Sequence, residues 1–201
     1  MMTNILEGMN IGVYYYTGDT GSSPNRTFFD GKMVSDKVIA FPVMPFGSYA
    51  AIDEMGRDKK RSDEVKKWFI DTVDYVLKNR TVRLVYSHPR DVEQYKDAVK
   101  SFLDYVERLQ KEEKIQMRAM SYFADFMHRF LKTKYTFEVD GGSLRVFLDN
   151  PETLEGITLA IPRNRYKMPS HGDFLIQQDD DYYYLTFREG INEKTIYFDA
   201  I

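Results

Sequence analysis

The chain has no cysteine, so it can build no disulfide framework, no zinc-thiolate centre and no thiol nucleophile. Histidine is almost as scarce. His88, His128 and His171 are the only three; they fall in separate segments and form no His-x-x-x-His pair. A divalent ion needs several such ligands converging on one point, so no complete metal site can be read from this chain. Positive charge is not in surplus: 28 Lys and Arg against 31 Asp and Glu give a net charge of -3. That balance argues against a nucleic-acid partner, and the most basic run, RDKKR at 57–61, reads as solvated loop. No apolar run approaches the ~20 residues that cross a bilayer. The opening MMTNILEGMNIGVYYY lacks the basic and continuous apolar regions of a signal peptide. It enters a strand-like run almost at once, which sets the expectation of a longer polypeptide upstream. Gly-x-Ser-x-Gly is missing, and GDTGSS lacks the Gly-Lys-Ser/Thr ending of a phosphate loop.

What the chain has in quantity is aromatic surface. Fifteen Tyr and 14 Phe supply core volume and also platforms on which sugar rings can stack. Hydrophobic periodicity changes near residue 135. Before it, IGVYYY (11–16) and KVIAFPV (37–43) read as strands, with Pro42 required at an end or bulge. The intervening TGDTGSSPNRTFFDGK reads as a long polar loop of the functional kind. Val65, Trp68, Phe69, Thr72, Val73, Val76 and Leu77 recur at helical spacing over 63–78, with Ser62 as the expected N-cap. VRLVY follows as a strand. Val92, Tyr95, Val99, Phe102, Val106 and Leu109 mark another helix, and Met120, Phe123, Ala124, Met127 and Leu131 a last one over 117–131. Strand and helix in alternation predict parallel βα units.

From 135 the period becomes two. YTFEV and SLRVFL flank DGG, a hairpin signal, and ITLAI, DFLIQQ, YYYLTFR and TIYFDA continue the pattern. Within DYYYLTF, Tyr182 and Tyr184 share one face and Tyr183 and Leu185 the other.

His88 stands apart because it follows an apolar alternation, TVRLVYSHPRDV, and precedes a helix. In βα architectures reactive groups gather at the carboxyl ends of strands. An imidazole there can donate or accept a proton near neutral pH. The alternative is a helix-entry histidine held extended by Pro89 and bonded only to its loop. Position does not decide between them.

AFPVMPFG, TVRLVYSHPRDV and FLDYVERLQKEEKIQMRAMSYFADF resemble the carboxyl-terminal half of bacterial polysaccharide deacetylases, the chitooligosaccharide-deacetylase-like family, over about residues 10–131. The resemblance implies an α/β fold: a partial (β/α) barrel, incomplete and lacking its amino-terminal strands, over 1–134. A small antiparallel β-sandwich-like domain over 135–201 would follow it. It also implies removal of acetyl groups from sugars with one divalent metal such as zinc, and a secreted or periplasmic location. The family holds its metal with motifs resembling Thr-Phe-Asp-Asp and His-Ser/Thr-x-x-His, and neither occurs here. No cofactor is therefore expected within this chain, which should be silent by the family mechanism. By position His88 corresponds to the family histidine that protonates the departing amine; Tyr86 stands where an aliphatic residue is usual. Asp19, Asn25, Arg26 and Asp30 of the 17–31 loop are the expected sugar contacts, near Tyr14 or Tyr16, and the expected partner is a polysaccharide or oligosaccharide. A non-catalytic carbohydrate-binding or scaffold protein using the β-region tyrosines is the alternative. An open barrel would also leave strand edges on which copies of the chain could pair.

Overall fold

The computed structural model describes residues 2–17, 23–169 and 172–201. The chain divides into two compact units, Met1–Ala124 and Asp125–Ile201.

In the first unit a short helix, α1 (Met2–Gly8), precedes a three-stranded sheet of β1 (Val13–Thr17), β2 (Asn25–Phe29) and β3 (Lys32–Val43). Its order is β1-β3-β2. β1 runs parallel to β3, and β2 antiparallel to it. β2 and β3 are joined by Asp30 and Gly31, both at positive φ (48° and 71°), the two-residue geometry that Asp-Gly favours. Half of the expected polar loop is therefore a hairpin. Pairing with β2 stops at Ala40, so Pro42 lies in β3 opposite β1 alone, past the end of the second ladder.

Four helices follow: α2 (Ile52–Arg57), α3 (Ser62–Asn79), α4 (Pro89–Gln94) and α5 (Lys96–Lys111). The N-cap of α3 is Arg61, one residue before the expected Ser62. The Glu64 carboxylate accepts the Arg61 backbone N–H at 3.0 Å and pairs with Lys60 at 3.0 Å, contacts that hold it below the ordinary carboxylate range. Ile52, Met55, Val65, Trp68, Phe69, Val73, Tyr95, Ala98, Phe102, Val106 and Leu109 form one core. Phe69 and Phe102 stack with centroids 4.6 Å apart. Trp68 Nε1 donates to the Phe46 carbonyl at 3.0 Å. The helix expected over 92–109 is broken at Tyr95, whose ring is buried and whose hydroxyl donates to the Lys60 carbonyl at 2.9 Å.

The partial (β/α) barrel is not formed. The described residues carry three separate three-stranded sheets, none closed, and only β1 and β3 pair in parallel. VRLVY is the reason. Among the described residues it joins no sheet, and none of Val82 to Tyr86 is fully buried. The half-buried Arg83 guanidinium bonds the Met44 carbonyl beyond the end of β3 and lies 5.7 Å from the Phe46 ring centroid. That anchor holds the segment beside the β3–α2 connection, so the strand–helix–strand repeat is interrupted. The barrel edges are replaced by the edges of three open sheets.

The last helix, α6 (Met120–Lys132), crosses the boundary between the units. Its carboxyl-terminal half belongs to the second because Asn150 bonds it. Asn150 Nδ2 donates to the Arg129 carbonyl at 2.8 Å and to Thr133 Oγ1 at 2.9 Å. The two units meet between Ala124 and Asp125, within α6.

The second unit contains β4 (Lys134–Asp140), β5 (Ser143–Asp149), β6 (Thr158–Pro162), β7 (Phe174–Gln178), β8 (Tyr182–Phe187) and β9 (Glu193–Phe198). They form two antiparallel sheets, β4-β5-β9 and β6-β8-β7. One core serves both: Val146, Leu148, Leu154, Ile157, Ile161, Phe174, Leu185, Phe187, Ile196 and Phe198. Gly141 and Gly142, both at positive φ, close the β4–β5 hairpin. No helix among the described residues is long and apolar enough to cross a membrane.

Candidate functional site

His88 is the N-cap of α4, with φ −87° and ψ 149°, and Pro89 occupies the first helical position. The extended conformation that Pro89 imposes on its predecessor turns the imidazole outward, and the residue is exposed. Both ring nitrogens lie near the Tyr86 hydroxyl, Nε2 at 3.1 Å and Nδ1 at 3.4 Å. The two rings meet edge-on with centroids 5.1 Å apart. Tyr86 in turn packs against Tyr15 of β1, centroids 5.2 Å apart. Three rings from β1 and the 82–88 segment thus line up at the surface.

The surroundings of Tyr86 hold its phenol in the neutral form. A hydrogen bond to Tyr15 is the largest influence raising its hydroxyl above the ordinary phenol range, followed by desolvation, the Tyr15 charge, and the carboxylates of Asp53 and Asp91. A bond that favours the neutral phenol is one the phenol donates. The Tyr86 hydroxyl both donates and accepts, so the tautomer of His88 sets the direction of the bond between them.

The raised phenol has an observable consequence. Tyr86 is raised, so its neutral form is favoured in the folded state. The contribution is complete below the unfolded-state value of about 10 and is lost as pH rises through the folded value. In a tyrosinate absorbance titration, Tyr86→Phe should remove a late-ionising phenol and Tyr15→Phe should make that phenol ionise earlier. Superimposable curves would show that the bond is absent.

Asp91, one helical turn after His88, is missing from the sequence reading. It is 2% exposed. Oδ1 lies 3.5 Å from Arg90 Nε, and Oδ2 is buried with no hydrogen-bond partner among the described residues. The available signal was the spacing His-Pro-x-Asp, which puts a carboxylate in the first turn of a Pro-started helix. Its burial could not be read from spacing.

The four loop residues expected to bind sugar separate. Asp19 lies outside the described residues. Asn25 pairs with Ala40, opposite Tyr14 on the same row of the sheet, and its Oδ1 accepts the Arg26 N–H at 2.8 Å. Arg26 pairs with Ile39, which places it on the face of Tyr15, two strands and two residues away, roughly 12 Å by strand geometry. Arg26 Nε is buried without a partner among the described residues, and the guanidinium lies 6.0 Å from the Phe28 centroid. Asp30 shapes the hairpin turn at the far end of β3, on the order of 20 Å from the row of Ile39. Tyr14 and Tyr16 pack on each other, centroids 6.2 Å apart, on the face away from Tyr15.

In the second unit β8 is the central strand of its sheet. Tyr183 packs against the core while Tyr182 and Tyr184 turn outward, centroids 6.1 Å apart. Tyr184 donates to Asp179 Oδ2 at 2.7 Å. His128 is half-buried on α6, and His171 lies outside the described residues.

Among the described residues no three His, Asp or Glu side chains converge to hold a metal ion. The donor set around His88, one imidazole beside phenols, does not fit the divalent ion that the deacetylase resemblance implies. Compared with family models, curated proteins and solved structures, the chain finds no match.

Proposed function

We propose that this chain is a carbohydrate-active polypeptide, part of a metal-dependent polysaccharide deacetylase, in which His88 gives a proton to the departing sugar amine. The observation that carries this reading is the His88–Tyr86–Tyr15 chain: an exposed imidazole oriented by a phenol, beside an aromatic wall. As the amide C–N bond of an N-acetyl sugar breaks, the nitrogen takes the imidazole proton and leaves as an amine. Tyr15 and Tyr86 offer ring faces to the pyranose, and Arg26, on the same face, reaches a hydroxyl of a neighbouring sugar. The ion that activates water in this chemistry would be held outside the described residues, so no step is assigned to it. A general acid contributes ~10²–10⁴-fold and only where a nucleophile exists, so this chain alone turns nothing over.

Two measurements test it. Chitooligosaccharide titrated into the chain should bind, and Tyr15→Ala should weaken binding by about tenfold, the loss of one stacking face. In a longer polypeptide that supplies the metal ligands, His88→Ala should lower kcat by ~10²–10⁴-fold with KM little changed. Full deacetylation by the His88→Ala enzyme would remove the assignment.

A non-catalytic carbohydrate-binding role is favoured by one other feature, the outward Tyr182–Tyr184 pair on a central strand. Under that reading glycan binding survives Tyr15→Ala and is lost in Tyr182→Ala/Tyr184→Ala.

A further inference from the structure

Among the described residues β4 is an edge strand with no cover on its apolar side. Its partners across the hairpin are Tyr135 with Leu148, Phe137 with Val146 and Val139 with Leu144. Directly opposed residues of an antiparallel pair face the same way, so these three β4 side chains lie on the core face of the sheet. Leu148 and Val146 are 2% and 6% exposed, yet Tyr135, Phe137 and Val139 are 68%, 66% and 60% exposed. The core face thus runs out to the sheet edge and stops in solvent. Nature guards such edges with proline, bulges, inward charges or short strands. β4 carries charge at Lys134, Glu138 and Asp140 but neither proline nor bulge: it pairs with β5 over seven residues without a register shift.

The sequence of the strand says what fits. Lys134–Asp140 reads KYTFEVD. Laid antiparallel on a second copy about Phe137, it sets Lys134 against Asp140, Tyr135 against Val139, Thr136 against Glu138 and Phe137 against itself. Both ends are then joined by opposite charges, and each apolar residue meets an apolar one on the same face. A one-residue slip would set polar positions against apolar ones. A two-fold axis normal to the sheet keeps the core faces of both copies on one side, as an isologous interface requires.

We propose that β4 is a self-complementary docking edge, and that two copies of this chain pair through it into a continuous six-stranded sheet. The apolar strips of the two copies adjoin, and Tyr135 and Phe137 fill the space between the two cores. On the opposite face Thr136, Glu138, Arg145 and Phe147 line a shallow depression reaching the same edge. Arg145 holds Glu138 there at 3.2 Å, so the polar side of β4 is already ordered for pairing.

The absence of cysteine makes the register directly measurable. In sedimentation velocity from about 1 μM to about 1 mM, the full chain should pass from monomer to dimer. Phe137→Lys sets two like charges in contact at the axis and should leave a monomer throughout. Asp140→Lys faces only Ser143 within its own hairpin but meets Lys134 of the other copy, and should raise the dissociation constant at least about tenfold. Phe137→Cys introduces the chain's one thiol at the axis, where opposed Cβ atoms come within disulfide reach. Under mild oxidation it should cross-link far faster than Val139→Cys, whose thiols are out of line with each other. A chain that stays monomeric at every concentration would overturn the proposal. So would a dimer indifferent to Phe137→Lys, equal cross-linking at the two positions, or hydrogen-exchange protection in the monomer of the alternate β4 amides that do not bond β5.

Discussion

Asn150→Ala should destabilise the second unit by about 3–5 kcal/mol, among the largest single losses in the chain. Asn150 is 1% exposed, and its side chain meets its full set of partners. The amide nitrogen donates to the Arg129 carbonyl and Thr133 Oγ1, at 2.8 and 2.9 Å. The amide oxygen accepts the backbone N–H groups of Glu152 and Thr153, at 2.9 and 3.1 Å. Each bond is worth roughly 1 kcal/mol net, and each group left buried without a partner costs about 1–3 kcal/mol. Alanine breaks the bridge between α6 and the turn after β5 and leaves the Glu152 and Thr153 N–H groups without their acceptor, while the Arg129 carbonyl keeps its bonds from Thr133. Asn150→Asp keeps the acceptor but turns a second oxygen towards the Arg129 carbonyl, so it should rescue little. Urea unfolding followed by the β-sheet circular dichroism signal measures both. A midpoint unchanged in Asn150→Ala would mean that water replaces the amide without loss.

Phe69→Ala is the counterpart in the first unit, with an expected loss of about 3–5 kcal/mol. Phe69 is 2% exposed and lies between Trp68, at 5.1 Å, and Phe102, at 4.6 Å. Truncation removes its own contacts and leaves a void against the Phe102 face, on the seam where α3 meets α5. Trp68 is the chain's one tryptophan, so its fluorescence reports on the neighbourhood of the change. Leu103→Ala, at an α5 position 47% exposed, is the matched control and should stay within about 0.5 kcal/mol. Equal midpoints for the two variants would place the core elsewhere.

Which elements were legible follows from which forces made them. The α3 and α5 faces are local periodicities that tertiary packing only had to accept. Val65, Trp68, Phe69, Phe102, Val106 and Leu109 are buried where helical spacing puts them. The β4–β5 hairpin was legible for the same reason, because Gly141 and Gly142 supply the two positive φ values that a tight turn demands. The same chemistry at Asp30 and Gly31 was hidden by its surroundings, a polar tract that reads as one long loop. VRLVY failed differently. Alternation qualifies a segment for a sheet, but joining one needs a free edge in register, and Arg83 binds the Met44 carbonyl instead. That choice is tertiary, and with it went the (β/α) barrel. At the candidate site the exposure of His88 and its bond to Tyr86 depend on a backbone that Pro89 constrains locally. The burial of Asp91 depends on packing remote in sequence.

The placement of β3 between β1 and β2 gives the amino-terminal sheet an order of assembly. β2 and β3 are separated by two residues, so their ladder can zip on the ~1–10 μs timescale of a hairpin. β1 touches the sheet only through its parallel ladder to β3, and that ladder joins residues about 26 positions apart, as Val13 with Ile39. Closing so long a loop is entropically slower, and the reward comes only once β3 is a strand. Tyr15 therefore arrives last, and the aromatic wall beside His88 is completed by the final strand to dock.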